Sequence, residues 1–372
     1  MEASSVRIRE GVVVEIIESG EGMTQAWVEV DGKKDRAISY HALTGRLAPG
    51  DRVSLNTTAA WLGLGTGGFH FVTAVWGRST ETSREGHIMK ARYTPAQVRV
   101  LAVEEEGSPY HEQLRDIPDL GGMPVAVGGL HSQVPLVAAA VKQRAPKARV
   151  AYVMTDGAAL PAAFSRVLQR LRRAGLVDAV ITAGHAFGGD YEAVTVPSAL
   201  AAAKVVVEAD VTIVAMGPGV VGTGTPLGCT ALEQGPILDA AQDLGGRPLP
   251  VARVSFHDPR ERHRGISHHT MTALTRFVHY PLTVPLPLLN RAPWRERLQE
   301  QAKALEAKGH SVVWRDGERA YAFAKALLCH HGIQVTTMGR SDEDDPAFFQ
   351  AAAVAGEEAA RLLEARESGR AR

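Results

Sequence analysis

From residue 97 onward the chain repeats one pattern, a short Val-rich run that ends in small residues, followed in most cases by a helical stretch. The runs are QVRVLAVEEE, PVAVGG, ARVAYVMTDG, DAVITAG, VTIVAMGPG and PVARVSF. Between several of them lie VPLVAAAVKQRA, AAFSRVLQRLRRAG, VPSALAAAKVVVEA and GPILDAAQDLGG. A strand that is apolar at every position, with no alternation, has both faces covered. Parallel strands also need a crossover, usually a helix, to rejoin their sheet. The pattern therefore predicts an α/β fold, a mostly parallel sheet covered by helices. The C-terminal part continues it with a polar helix over 293–308, SVVWRDG, another helix, a strand at IQVTTMG and a tail helix over 346–367.

Residues 6–76 have a different texture. VRIREGVVVEII, QAWVEV, RAISY, RVSLN and FHFVTAVW are short, β-branched runs separated by turn signals at Asp31-Gly32 and Pro49-Gly50-Asp51. Five such runs with no helical period predict a small barrel of the SH3-like or OB type, with Trp27, Trp61, Phe69, Phe71 and Trp76 as its core. LGLGTGG (62–68) reads as a bulge or wide turn before the last strand. GRSTETSREG (77–86) is polar and turn-rich. The expected organisation is a β-barrel-like domain over 1–76, a linker over 77–96, and an α/β domain over 97–372 that carries the site. A chain of 372 residues is long enough for this division.

Charge and cysteine content narrow the function classes. Lys plus Arg equals Asp plus Glu, 41 against 41, so no global field draws the chain to nucleic acid or to an anionic membrane, and any anion binding is local. Cys229 and Cys329 form no CxxC pair, which argues against a thiolate metal site and fits a reducing cytoplasm. The start, MEASSVRIREG, lacks an apolar signal-peptide core, and the longest apolar stretch is broken by Lys204, Glu208 and Asp210. A cytoplasmic protein with no nucleic-acid or membrane partner is the expectation, and a homo-oligomer is compatible with it.

In an open parallel sheet, ligands bind outside the carboxyl ends of the strands. Nearly every expected strand end carries a glycine together with a His, Asp or Thr. The candidate catalytic groups are His131, Asp156, His185, Asp190, His257 and His263. They would act in acid–base steps or hold a divalent metal, the candidate cofactor. The candidate substrate-binding groups are Gly217, Gly219, Gly222, Gly224, Thr225, Arg260, Arg262, Arg264, Ser267 and His268. G-P-G-x-x-G at Gly217 superficially matches a dinucleotide fingerprint, but Pro218 lacks an N–H and no helix follows at once. Arginine forks suit phosphate or carboxylate, and Ser267 reads as the N-cap of a helix beginning at His268. Adjacent on a helix, His268 and His269 would point about 100° apart, a poor arrangement for sharing one ion. Cys229 reads as a buried small hydrophobe.

Each of these residues also has a bland reading. A lone histidine is commonly a hydrogen-bonded structural group, Asp caps helices and turns, and the arginines can form an internal ion-pair net with Asp258 and Glu261. GHIMKARYTP (86–95), HAFGGD, GPGVVGTGT and RERHRGISHHT together resemble an uncharacterised bacterial family, a domain of unknown function, over almost the whole chain. No activity comes with that resemblance. From the residues alone, the leading expectation is a hydrolase or group transferase acting on a small anionic, phosphate-containing or nucleotide-like molecule. The alternative is a non-catalytic ligand-binding or oligomeric assembly protein, whose histidines would spread over a flat interface. Nucleic-acid binding by the barrel ranks third.

Overall fold

The computed structural model describes residues 5–65, 67–81 and 85–370. The first four residues, Thr66 of LGLGTGG and 82–84 of the expected linker lie outside the described residues. The chain divides into two compact units, Met1–Leu101 and Ala102–Arg372.

In the first unit, β1 (Ile8–Ser19), β2 (Met23–Val30), β3 (Lys33–Tyr40), β4 (Arg52–Asn56) and β5 (Phe69–Val75) close into a barrel in the order β1-β2-β3-β5-β4. The parallel β3–β5 pairing makes this a Greek-key barrel of the OB type, since a meander would be antiparallel throughout. Two register shifts along β1 bend it so that it pairs with both β2 and β4. One-turn helices α1 (His41–Thr44) and α2 (Thr58–Trp61) flank β4.

The barrel core corrects one expectation. It is aliphatic, built on Val13, Val28, Val53, Leu55 and Val72, because a five-stranded barrel leaves little room for large rings. Trp61 is 66% and Trp76 51% exposed. The rings pack outside beneath cations, with Lys34 over Trp27, Arg36 over Phe69 and Arg52 over Trp76.

Strands β6 (Ile88–Lys90) and β7 (Val98–Val100) pair antiparallel. The run QVRVLAVEEE, expected in the parallel sheet, divides: Val98–Val100 supply β7 to a separate hairpin, while Ala102 makes a single parallel bridge to Glu192. An antiparallel pair needs no helical crossover.

The second unit is built on a six-stranded sheet. Its strands are β8 (Pro124–Gly128), β9 (Val150–Thr155), β10 (Ala179–Thr182), β11 (Tyr191–Glu192), β12 (Val211–Met216) and β13 (Arg247–Val251). Their order is β11-β10-β9-β12-β8-β13, with every neighbouring pair parallel. All residues of β8, β9, β10 and β12 are buried, as a sheet covered on both faces requires.

The two-residue period of β9 sorts its side chains between two cores. Val150, Tyr152 and Met154 meet α4 (Val134–Arg144), α5 (Arg166–Arg173), α10 (Gly317–His330) and α11 (Pro346–Arg370). Ala151 and Val153 meet α6 (Val196–Val205), α7 (Gln234–Asp243) and α9 (Ala292–Glu306). The one-turn α3 (His111–Leu114) precedes the sheet, and α8 (His268–Arg276) follows the short pair β14 (Val254–Ser255) and β15 (Gly265–Ile266).

Beyond α8, β16 (Thr283–Leu288) and β17 (Ser311–Asp316) form a separate parallel pair connected through α9. β16 pairs on one side only, which tolerates Pro285 and Pro287. IQVTTMG, expected as a strand, is none. Met338 and Gly339 hold φ of 50° and 77°, and the chain turns back so that Thr337 and Arg340 bond each other. Two successive left-handed residues cannot continue an extended strand.

Strand order places the crevice. From β9 the chain turns one way, through α5 to β10. From β12 it turns the other way, through α7 to β13. The carboxyl ends of β9 and β12 therefore flank a topological switch point, where an open α/β sheet leaves room for a ligand.

Candidate functional site

At that switch point Thr155 ends β9, and its hydroxyl donates to Glu233 Oε1 at 2.6 Å. Glu233 closes the 3-10 turn Thr230–Glu233 just ahead of α7. Burial pushes its carboxyl up to about 7; the Asp156 charge adds to that, and the Thr155 hydrogen bond works against it. Asp156 accepts the main-chain N–H of His185 at 2.8 Å. Gly184, with φ of 64°, lets this happen, because a Cβ there would lie 2.3 Å from Asp156 Oδ2. Asp156 is thus tied to the 184–185 turn while its charge acts on the Glu233 carboxyl.

A second cluster lies after β13. Ser267 caps α8, its hydroxyl accepting from the His269 N–H at 3.4 Å and bonding His263 Nδ1 at 2.8 Å. His263 comes from the 3-10 turn Glu261–His263. The capped start of α8 turns His268 and His269 toward it, with ring centroids 5.0 Å from His263 for both and 4.0 Å from each other. Contrary to the expectation for two adjacent helical residues, one nitrogen from each of the three rings lies within 4.8 Å of the other two. His269 Nδ1 meets Cys229 Sγ at 3.1 Å, so Cys229 is a polar contact of the cluster as well as a half-buried thiol. Nε2 of His268 and of His269 is buried without a hydrogen-bond partner among the described residues.

Burial, then the charges of Arg253 and Arg260, lower the His263 pKa to about 3. Burial, then the neighbouring His268 and the arginines, lower that of His269 to about 4. Both imidazoles are neutral at pH 7.

The glycine loop after β12 reaches this cluster. It is no strand–turn–helix phosphate loop. Residues 221–230 fold back as a hairpin, with Gly222 bridged to Cys229, the Thr223 N–H donated to the Gly228 carbonyl and the Thr230 N–H to the Val221 carbonyl. Thr225 is spent inside it, accepting the Gly228 N–H at 3.1 Å. Gly217 is tucked under the chain, where a Cβ would meet the Ala159 carbonyl at 2.6 Å, and Gly219 turns the backbone at φ of 110°. At Gly222 a Cβ would come 2.9 Å from His269 Cε1, so the loop closes on the ring only as glycine. Gly224 lies beside the Arg262 guanidinium.

The arginines divide. Asp258, fully buried, takes Arg260 through Nε at 2.9 Å and Nη2 at 3.0 Å, Arg253 at 3.1 Å and Arg340 at 3.6 Å. Burial raises the Asp258 carboxyl, but the Arg260 and Arg253 guanidiniums outweigh it and hold the carboxyl well below the usual carboxylate range. Arg264 donates to the Asp258 carbonyl and pairs with Glu261. Arg260 and Arg264 therefore serve an internal net, and among the described residues no carboxylate pairs with Arg262.

Other expected site residues lie apart. Asp190 precedes the short edge strand β11. It pairs with Arg172 at 2.7 Å and accepts the Val180 N–H, which puts it at the amino end of β10, away from the crevice. His257 stands edge-on to Trp294 and faces Asp345 at 3.9 Å. His131 spends both ring nitrogens, on the Tyr152 hydroxyl at 3.1 Å and the Ser165 hydroxyl at 2.6 Å; burial lowers its pKa to about 4. A groove lined by Arg144, Arg319, Phe323, Glu357 and Arg361 opens at the far end of α4, and its charges pair with one another.

Glu233 escaped the reading of the sequence, and the convergence of His268 and His269 on one point ran against it. The available signal for Glu233 was an acid placed directly before the helix that follows a glycine loop.

The fold and site together define a two-unit protein, a closed β-barrel followed by an α/β unit with a polar, histidine-rich carboxyl edge. The chain belongs to a family of proteins of unknown function, DUF3866, whose model matches residues 36–356. No curated protein matches it. Among the described residues no helix is long and apolar enough to cross a membrane.

Proposed function

We propose that the protein is a hydrolase or group transferase acting on a small anionic substrate, phosphate-containing or nucleotide-like, at the carboxyl edge of the α/β unit. One observation carries the reading. The glycine hairpin, Arg262, with no carboxylate partner among the described residues, and three imidazoles with one nitrogen each within 4.8 Å of the others meet beside the 3-10 turn that ends in Glu233. A surface built only for assembly would have no need to bury imidazole nitrogens without partners.

The chemistry follows from the charges. Asp258 and Asp345 answer Arg253, Arg260 and Arg340, so Arg262 is the fork left for an incoming anion. Glu233 is poised near neutrality and serves as the proton acceptor. It takes the proton of the attacking water or hydroxyl as that oxygen bonds to the electrophilic centre, and the leaving group departs with its electron pair.

Phosphate release from a panel of phosphate monoesters and nucleotides tests this. Turnover of at least one class is expected, rising with pH through about 7 and flattening above. Glu233→Gln should lose about 10²–10⁴-fold with the fold intact. Full turnover in that variant would remove Glu233 from the mechanism, and no release from any member would overturn the reaction class.

A further inference from the structure

We propose that His263, His268 and His269 bind one first-row divalent metal ion of the zinc or cobalt(II) type, with an anion as its fourth ligand. This goes beyond the reaction class above and holds whichever anion is the substrate.

The three nitrogens already lie within 4.8 Å of one another. A tetrahedral ion about 2.0–2.1 Å from each ligand separates them by about 3.3 Å, so the trio needs to close by at most about 1.5 Å. His263 is 1% and His269 6% exposed. Nε2 of His268 and of His269 has no partner among the described residues, an arrangement that buried polar atoms rarely adopt unless something else binds them.

The far side of each ring supports the same reading. Ligating histidines usually hydrogen-bond through their other nitrogen, which fixes ring and tautomer. His263 Nδ1 does so with the Ser267 hydroxyl, and His269 Nδ1 with Cys229 Sγ. With Nδ1–H donated outward, Nε2 is the nitrogen of both rings that keeps a lone pair for an ion. Ser267 links two of the ligands, because the hydroxyl that holds His263 also receives the His269 N–H.

Three protein ligands leave a fourth position open, the mark of a catalytic rather than a structural ion. The surroundings choose what fills it. The positive field of Arg262, which no carboxylate among the described residues pairs, opposes a bare cation at this point. A hydroxide or phosphate oxygen on the metal answers that field, and Arg262 stands beside Gly224 to receive the rest of such an anion.

Cobalt(II) chloride titrated into untagged protein stripped with chelator tests the site, read by visible d–d absorption and by metal content per chain. One ion per chain with the intense bands of four-coordinate cobalt is expected. His268→Gln and His269→Ala should each weaken binding by at least about 100-fold, and Cys229→Ser by about 10-fold. His257→Ala should leave binding unchanged. Circular dichroism verifies folding, and the half-buried His268 supplies a decisive variant should His269→Ala unfold. Inorganic phosphate should tighten cobalt binding and shift the bands.

Absence of stoichiometric cobalt, or equal binding by wild type and His268→Gln, would overturn the metal site. Bands indifferent to phosphate would overturn the anionic fourth ligand. Cobalt binding without turnover of any phosphate compound would sustain the site and sink the reaction class proposed above. Full turnover by chelator-stripped protein would sustain the reaction and remove any part for the metal in it.

Discussion

Gly184 and Ser267 each hold a turn of the site in place through contacts that a single methyl or hydroxyl decides. A side chain at Gly184 faces both a left-handed φ of 64° and the Asp156 carboxylate. Gly184→Ala should lower stability by roughly 1–3 kcal/mol in a denaturant titration, and a neutral result would mean that the 184–185 turn is not held as described. Ser267→Ala removes the cap of α8 and the His263 partner together, with an expected loss of about 0.5–2 kcal/mol by the same measurement. At this scale the sequence disclosed what is local along the chain. Ser267 was readable as a cap because the residues it serves follow it directly. Glu233 was not, since its partner Thr155 is 78 positions away. Asp190 misled because a two-residue strand carries no periodic signal, so the end of β10 looked like the end of the whole segment.

Among the elements, the contact of α11 with α4 yields a prediction that runs against helix propensity. Alanine normally improves on glycine inside a helix by up to about 1 kcal/mol. At Gly356 a Cβ would lie 2.5 Å from the Val137 carbonyl and 2.8 Å from Ala140 Cβ. Gly356→Ala should therefore destabilise, by roughly 1–3 kcal/mol, as the two helices are forced apart. A raised melting temperature would contradict the close packing of α4 and α11. Strands buried on both faces were readable because solvent exclusion leaves mostly apolar residues and no charged ones in β8, β9, β10 and β12. Pairing was not. Whether IQVTTMG extends depends on the backbone at Met338 and Gly339, and Val98–Val100 of QVRVLAVEEE join a hairpin because β6 precedes them. The barrel showed the same limit: its strands were evident, but ring size moved the aromatic residues from the expected core to the outside.

The whole molecule has a pH dependence whose sign can be worked out. His131 and His269 hold their pKa near 4 and His263 near 3. Unfolded histidines take a proton near 6.5. As pH falls from about 6.5 to about 4, the unfolded chain gains protons that these native imidazoles refuse, so stability is lost. Glu233 acts in the opposite sense. Its raised pKa stabilises the fold below about 4.5, and that contribution is lost as pH rises through about 7. Three groups against one decide the sign. In metal-free protein the melting temperature should fall between pH 6.5 and 4.5, and His131→Gln should flatten the slope. Stability that climbs on acidification would contradict the burial of these rings.

At the same scale stands the claim that the carboxyl edge of the second unit receives a small anion, and calorimetric titration of inorganic pyrophosphate into the protein tests it most directly. Saturable binding at one site per chain is expected, weakened about tenfold or more in Arg262→Ala, as the loss of a charge-assisted hydrogen bond implies. No saturable binding to the wild type, or equal affinity in the variant, would contradict it.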